Sequence, residues 1–393
     1  MKQRNLLICL LLSFALLLSL TACGAGGSAT GNGSSASPGS GAASASAPAA
    51  AEESSGTDSS PQSQEPTAPV YKVALFPAPG EDQSVPEAGK AFCEAHKLDF
   101  VQLTAPAEDE HAAVAAVEQA VAQGCNVVVL SGQACAPVLT SCASNYPDVR
   151  FLTLDLSVDE IPDNVCCLSY REEEAGFMAG YMAVMQGSTR LAFLGRSSET
   201  SDQHYGSGFL QGVDCAAMEW GIFDSISVEY CSYEQMEDNA VTAAVKKLYQ
   251  KGTEVVFATN HGDAVAKAAA KANGLVIGTD ADQSALLEQA GEGVTLTCAV
   301  KYPAAAITYG LEAAVSERWS GLVGTEQRVG IVSKQDTGKN AVGLSENSAW
   351  SFAFDEEDCG YLVEQLADRD LIVSDQSGDQ LKLACKVHFT TLE

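Results

Sequence analysis

Val255-Val256-Phe257-Ala258 is followed by the polar link Thr259-Asn260-His261-Gly262, by the alanine-rich run Asp263 to Ala272, and by Leu275-Val276-Ile277-Gly278. The first tetrad is apolar without alternation and too short for a helix. It reads as a strand covered on both faces. Asp263 to Ala272 carries small apolar residues at helical spacing, and the last tetrad repeats the first. Strand, helix and strand in that order predict a parallel sheet with helices packed on it.

The rhythm extends outward. Before this unit come a strand at Arg190 to Leu194, a helix at Gly206 to Trp220, a strand at Ser225 to Tyr230 and a helix at Asn239 to Gln250. Earlier still it runs once more. Strands are expected at Tyr71 to Phe76, Asp99 to Leu103, Val127 to Leu130 and Arg150 to Leu154, with helices at Glu87 to His96, Asp109 to Gln123 and Pro137 to Asn145. Gly124 is a helix stop. Glu172 to Met185 reads as one amphipathic helix between the two series. Thr295 to Val300 and Gly330 to Leu344 are too few for a third domain and read as hinge strands. The expected fold class is α/β, with two doubly wound parallel-sheet lobes joined by hinge strands. The expected boundaries are 70–186 for the first lobe, 187–294 for the second, and 295–345 for the crossovers and completion of the first. Residues 346–393 are expected to pad one lobe, with a helix-like Asp355 to Asp368 and a strand-like Leu381 to Phe389.

The N-terminal region is of another kind. Lys2 and Arg4 precede an apolar run from Leu6 to Leu20, too short and wrongly flanked for a stable span, and Leu20-Thr21-Ala22-Cys23 closes it. This order resembles a bacterial lipoprotein signal of residues 1–22, which implies lipidation of Cys23 and palmitate-type acyl anchoring at the outer face of the cell membrane. Residues 23–69 are dominated by Gly, Ala, Ser and Pro and cannot offset the cost of ordering. They read as a tether with a reach on the order of 40 Å.

A formal charge of -29 argues against a nucleic-acid partner, because phosphates would be repelled. Thirteen cysteines are present without paired C-x-x-C metal spacing. They read as buried free thiols, with disulfides at Cys166-Cys167 or between Cys135 and Cys142 as the alternative. In open α/β sheets ligands bind beyond the carboxyl ends of the strands. Asp155, Asn260 and Asp280 each follow such an end, so they are candidates for a ligand cleft. Helix capping is the alternative for each.

The stretch Asn164 to Tyr181, with Leu191 to Gly195, Gly206 to Gly212, Gly278 to Gln283 and Thr297 to Lys301, resembles the basic membrane protein family of substrate-binding lipoproteins, which includes purine-nucleoside-binding proteins. The resemblance covers nearly all of Tyr71 to Leu344. It implies the type I periplasmic-binding-protein fold and delivery of a nucleoside or related riboside to an ABC permease by a monomer without cofactor. Carried over by position, it implies Asp280 as hydroxyl acceptor, Lys301 as the motif lysine, and Asp155 as the acid after the fourth strand. Asp82 and Ser84 stand where the family has Asp-x-Ser-Phe-Asn. Here Val85 and Pro86 replace the last two, and Asn260-His261-Gly262 replaces a glycine-rich loop. Phe76, Tyr205 and His261 are the candidate substitutes for the missing ring, with Tyr205 expected in a loop. The same fold serving a sugar or a signalling metabolite for a sensor is the alternative, as is a degenerate surface lipoprotein.

Rival chemistry finds little support. Gly206 to Gly212 is spaced G-x-G-x-x-x-G, one residue too long for a dinucleotide fingerprint. The Asp280-Ala281-Asp282 start of a calcium loop lacks its sixth-position glycine, since Ala285 stands there. No H-E-x-x-H, G-x-S-x-G or Walker loop occurs. No metal or catalytic residue is therefore expected, and the chain reads as a binding protein rather than an enzyme.

Overall fold

Val73 to Phe76 form the centre of strand β1 (Lys72–Pro77), fully or nearly fully buried, as a continuous apolar run demands. The computed structural model describes residues 70–77, 83–105 and 109–392. From β1 the chain continues through α1 (Ser84–His96), β2 (Asp99–Gln102), α2 (Glu110–Ala122), β3 (Val127–Ser131), α3 (Ala136–Ala143), β4 (Arg150–Leu154) and β5 (Val165–Tyr170). Asp109 caps α2 by accepting from the Ala112 N–H at 2.9 Å. Helix α4 (Glu172–Met185) leads to the second series: β6 (Arg190–Arg196), α5 (Thr200–Trp220), β7 (Ser227–Tyr233), α6 (Asp238–Gln250), β8 (Val255–Ala258), α7 (Gly262–Ala272), β9 (Leu275–Asp280), α8 (Ser284–Leu287) and β10 (Thr295–Lys301). The remainder is α9 (Pro303–Ala314), β11 (Thr325–Val329), β12 (Val342–Leu344), α10 (Glu356–Ala367) and β13 (Lys386–Thr391).

These strands make two sheets. The first has the order β11-β5-β4-β3-β1-β2 and is parallel throughout. The second has the order β12-β10-β9-β8-β6-β7-β13, parallel except where β12 runs against β10. The chain passes between sheets three times. It does so at Arg171 into α4, at Tyr302 into α9, which packs on α1 and β4, and at Gly330 to Ala341 between β11 and β12.

Two expectations need correction. Thr295 to Val300 is not a hinge strand but an interior strand of the second sheet, between β9 and β12, and every residue of it is buried. The crossings are the short links at strand ends. Helix α4 is not amphipathic: thirteen of its fourteen residues are buried, because β10, β12 and α5 all pack on it. Glycines permit that packing. Gly176 and Gly180 meet the backbone of α5 at Tyr205 and Phe209, and Gly208 and Gly212 meet the backbone of α4 at Glu173 and Phe177.

The C-terminal segment adds to the second lobe. A capping box of Asp355 and Asp358 starts α10. Beyond it the chain lies along α5, where Ser207 donates to Gln376 O at 2.7 Å, Gln211 accepts from Ser374 N at 2.9 Å, and Asp214 accepts from Cys385 N at 2.7 Å. β13 then extends the sheet beyond β7. The eleven described cysteines are free thiols, nine of them buried, and neither Cys166-Cys167 nor Cys135 with Cys142 is bridged. Burial pushes Cys142 up to about 11 and Cys166 to about 12, so these thiols are protonated and poorly nucleophilic. Among the described residues no helix is long and apolar enough to cross a membrane.

Candidate functional site

Lys301 ends β10, and its side chain is only 9% exposed. Its Nζ lies 3.5 Å from Asp155 Oδ2, 3.4 Å from Asp280 Oδ1 and 3.3 Å from Glu172 Oε1. It also donates to Ser201 Oγ at 3.3 Å and stands 4.9 Å above the Tyr170 ring. Asp155 directly follows β4 of the first lobe, and Asp280 ends β9 of the second. The carboxyl ends of the two sheets thus meet at one ammonium group. The side chains of Asp155 and Asp280 remain 51% and 57% exposed.

Helix capping does not explain these residues. The N-cap of α7 is His261 rather than Asn260, that of α8 is Gln283, and Asp155 precedes no helix. Asp155 and Asp280 instead take left-handed backbone with φ of 51° and 63°. Asp tolerates that region better than most residues, but it still costs about 1 kcal/mol, and such strain gathers at binding sites.

The electrostatics follow from burial against pairing. Burial opposes a charged Lys301, but Asp280, Glu172 and Asp155 outweigh it and hold the ammonium above the ordinary lysine range. Shielding by the surrounding walls raises the Asp280 carboxyl more than Lys301 lowers it, although one side is open to solvent. Burial would raise Glu172 too, yet the His204 hydrogen bond and the Lys301 charge bring it down to about 2. Burial, with Asp280 next to it, keeps the Tyr205 phenol protonated, and its OH donates to Asp280 Oδ1 at 3.4 Å.

Of the residues singled out in the sequence, Asp155, Asp280, Lys301 and Tyr205 come together. Tyr205 lies inside α5 and is 1% exposed, not in a loop, because α5 starts at Thr200. It orients Asp280 and presents no ring face to solvent. Asn260 stays apart, donating to Asp202 at 3.0 Å and Thr259 at 3.2 Å within its own lobe. His261 is paired with Asp238 at 2.6 Å. Phe76 is a core residue, 5% exposed, and Ser84 is the partly buried first residue of α1. Asp82 and Cys23 lie outside the described residues.

Sequence reading missed three acids. Glu172, Glu173 and Glu174 open α4 and are each 2–3% exposed. Glu173 pairs with Arg328 of β11, Glu174 with Arg369 at 2.6 Å, and Glu172 with Lys301 and with His204 at 3.3 Å. The signal was three consecutive acids at a helix start directly after a buried strand, where the helix dipole favours anions. Ligand atoms of Glu172, Glu173 and His204 lie within 4.8 Å of one another, a spacing that suits a metal ion. The Arg328 guanidinium already supplies the cation there, donating to Glu173. Chemically, then, the site offers hydrogen-bond acceptors on two half-exposed carboxylates, one from each lobe.

A family model described as "ABC transporter substrate-binding protein PnrA-like" matches residues 79–360. Basic membrane proteins A2 and A1 of Borrelia garinii subsp. bavariensis are 27% and 28% identical over 171 residues, 42% of this chain and 49% of theirs. The chain therefore matches about half the length of these curated relatives. Among solved structures, an ABC transporter solute-binding protein of Conexibacter woesei covers 78% of this chain and 99% of its own, at 19% identity and TM-score 0.55. A transcriptional activator of the comK gene from Bacillus halodurans covers 76% and 97%, at 18% identity and TM-score 0.56. At these identities the likeness establishes the fold: two α/β lobes of the periplasmic-binding-protein type.

Proposed function

The chain belongs to the PnrA-like family of ABC transporter substrate-binding proteins, and from that premise we propose that it is the lipid-anchored extracytoplasmic receptor of an ABC importer, closing its lobes on a nucleoside or related riboside. The observation that carries this reading is the pair Asp155 and Asp280, one from each lobe, both within 3.5 Å of the Lys301 ammonium. A sugar hydroxyl donates well to such a carboxylate, and charge-assisted hydrogen bonds are roughly twice as strong as neutral ones. Contact with both lobes at once favours the closed form, which is how ligand occupancy becomes a shape a permease recognises. Cys23 is the proposed lipid attachment point, and residues 24–69 the tether. The protein acts as a monomer and alters no covalent bond of its ligand.

The test is a thermal-shift screen of the full chain against nucleosides, bases and sugars. A ligand that binds only the folded state raises Tm by an amount set by its concentration over Kd. A nucleoside is expected to raise Tm in the native protein and not in Asp280→Ala, whose unliganded form stays folded. Stabilisation by sugars alone, or an unchanged nucleoside shift in Asp280→Ala, would refute the assignment.

A further inference from the structure

We propose that Glu172 is the positioning residue through which the ligand site and the hinge are coupled. The inference rests on the reading that ligand binds at Asp155, Asp280 and Lys301. Glu172 is the first residue of α4, directly after the first crossing between lobes, and is 3% exposed. Its two carboxylate oxygens face different partners. Oε1 lies 3.3 Å from Lys301 Nζ, on the side where Lys301 also touches Asp155 and Asp280. Oε2 lies 3.3 Å from His204 Nδ1 and 3.7 Å from Arg328 Nη2.

The placement of those partners gives the coupling its meaning. Lys301 is the last residue before the second crossing, and Arg328 stands two residues before Gly330, where the third begins. Gly330 packs against the Glu174 carboxylate, and the Ile331 N–H donates to it at 2.6 Å. One buried carboxylate therefore touches charged side chains from two crossings while sitting on the other. A ligand that draws Asp155 or Asp280 away from Lys301 leaves the ammonium leaning more on Glu172. Glu172 then holds Arg328 and His204 less firmly, and the β11–β12 crossing is freed to move. Glu172 itself touches no ligand.

Spatial adjacency alone does not establish coupling, so the test is a mutant cycle. Lys301→Met and Arg328→Met, singly and together, are compared by thermal unfolding of the ligand-free full chain, in the native background and with Glu172→Gln. The double variant is expected to depart from the sum of the singles by at least about 2 °C with Glu172 present, and to be additive in the Glu172→Gln background. Additivity in both backgrounds, or equal departure in both, overturns the proposal. Should a background fail to fold, hydrogen exchange at residues 328–333 in Lys301→Met decides the same question. Faster exchange there than in the native chain supports the coupling, and unchanged exchange refutes it. A ligand arm with guanosine as probe separates the two readings. Guanosine failing to stabilise the native chain speaks against the nucleoside assignment and leaves the mutant cycle to decide the coupling. If guanosine binds, Glu172→Gln is expected to weaken it about tenfold, with Glu172→Asp intermediate; an unchanged Kd refutes the positioning role.

Discussion

At the scale of single residues, the site is governed by how many acids share each cation. Lys301 faces three carboxylates, and the fold lowers the proton affinity of the most buried of them, Glu172, from 4.5 to about 2. A carboxyl with its folded value below its unfolded one binds the proton more weakly when folded. Its stabilisation is complete above about pH 4.5 and is lost as pH falls toward 2. Glu172→Gln is therefore expected to cost about 3 kcal/mol near neutrality, since it leaves buried cations short of a partner. That difference from the native chain should shrink steadily between pH 4.5 and pH 2, as followed by urea unfolding. Parallel stability curves for the two proteins over that window would show that the charge on Glu172 is not what the fold uses.

At the scale of elements, the α4–α5 pair fixes the geometry of the hinge side. The four glycines let the two backbones touch, and a methyl group on any of them would overlap a backbone atom of the other helix. Overpacking a site that cannot give costs about 3 kcal/mol or more. Gly212→Ala, facing the Phe177 backbone, is expected to lose at least that much by denaturant unfolding. Gly360→Ala in α10 is the control. Nothing lies within 4 Å of its added methyl, so helix propensity should give a gain of about 1 kcal/mol. Equal effects at the two positions would mean that the helices are free to separate. Most strands of the two sheets were legible in the sequence, because buried parallel strands such as Val127 to Leu130 and Val255 to Ala258 are continuous apolar runs, but β5 and β11 of the first sheet were not foreseen. The position of Asp155 and Asp280 at the carboxyl ends of strands was legible too, because each follows such an apolar run. The nature of α4 was hidden. Glu172 to Glu174 look like a solvated turn until Lys301, Arg328 and Arg369 arrive, and those partners stand more than a hundred residues along the chain. Tyr205 was misplaced because the polar start of α5, Thr200 to His204, carries no helical apolar spacing.

At the scale of the whole molecule, the last stretch of chain ties the second lobe to the hinge. The match to the family model ends at residue 360, yet Arg369 neutralises Glu174 at the hinge, Asp375 reaches Arg328 at 2.9 Å, and β13 covers the open edge of β7. Removing residues 369–393 would leave Glu174, 2% exposed, with Arg171 at 3.8 Å as its nearest cation and would strip the backbone partners from Ser207 and Gln211. An uncompensated buried charge costs about 3–5 kcal/mol, and an uncovered edge strand invites association. Truncation is therefore expected to lower Tm and to promote self-association, seen by light scattering. Glu174→Gln should restore part of the lost Tm in the truncated chain while lowering Tm in the intact one, because the amide needs no cation and Arg369 needs the carboxylate. A sign reversal of this kind is a pairwise signature that general loosening of the lobe does not produce. If Glu174→Gln lowered Tm equally in both chains, the tail would act only by covering β7, and the Arg369 pair would be incidental to the hinge.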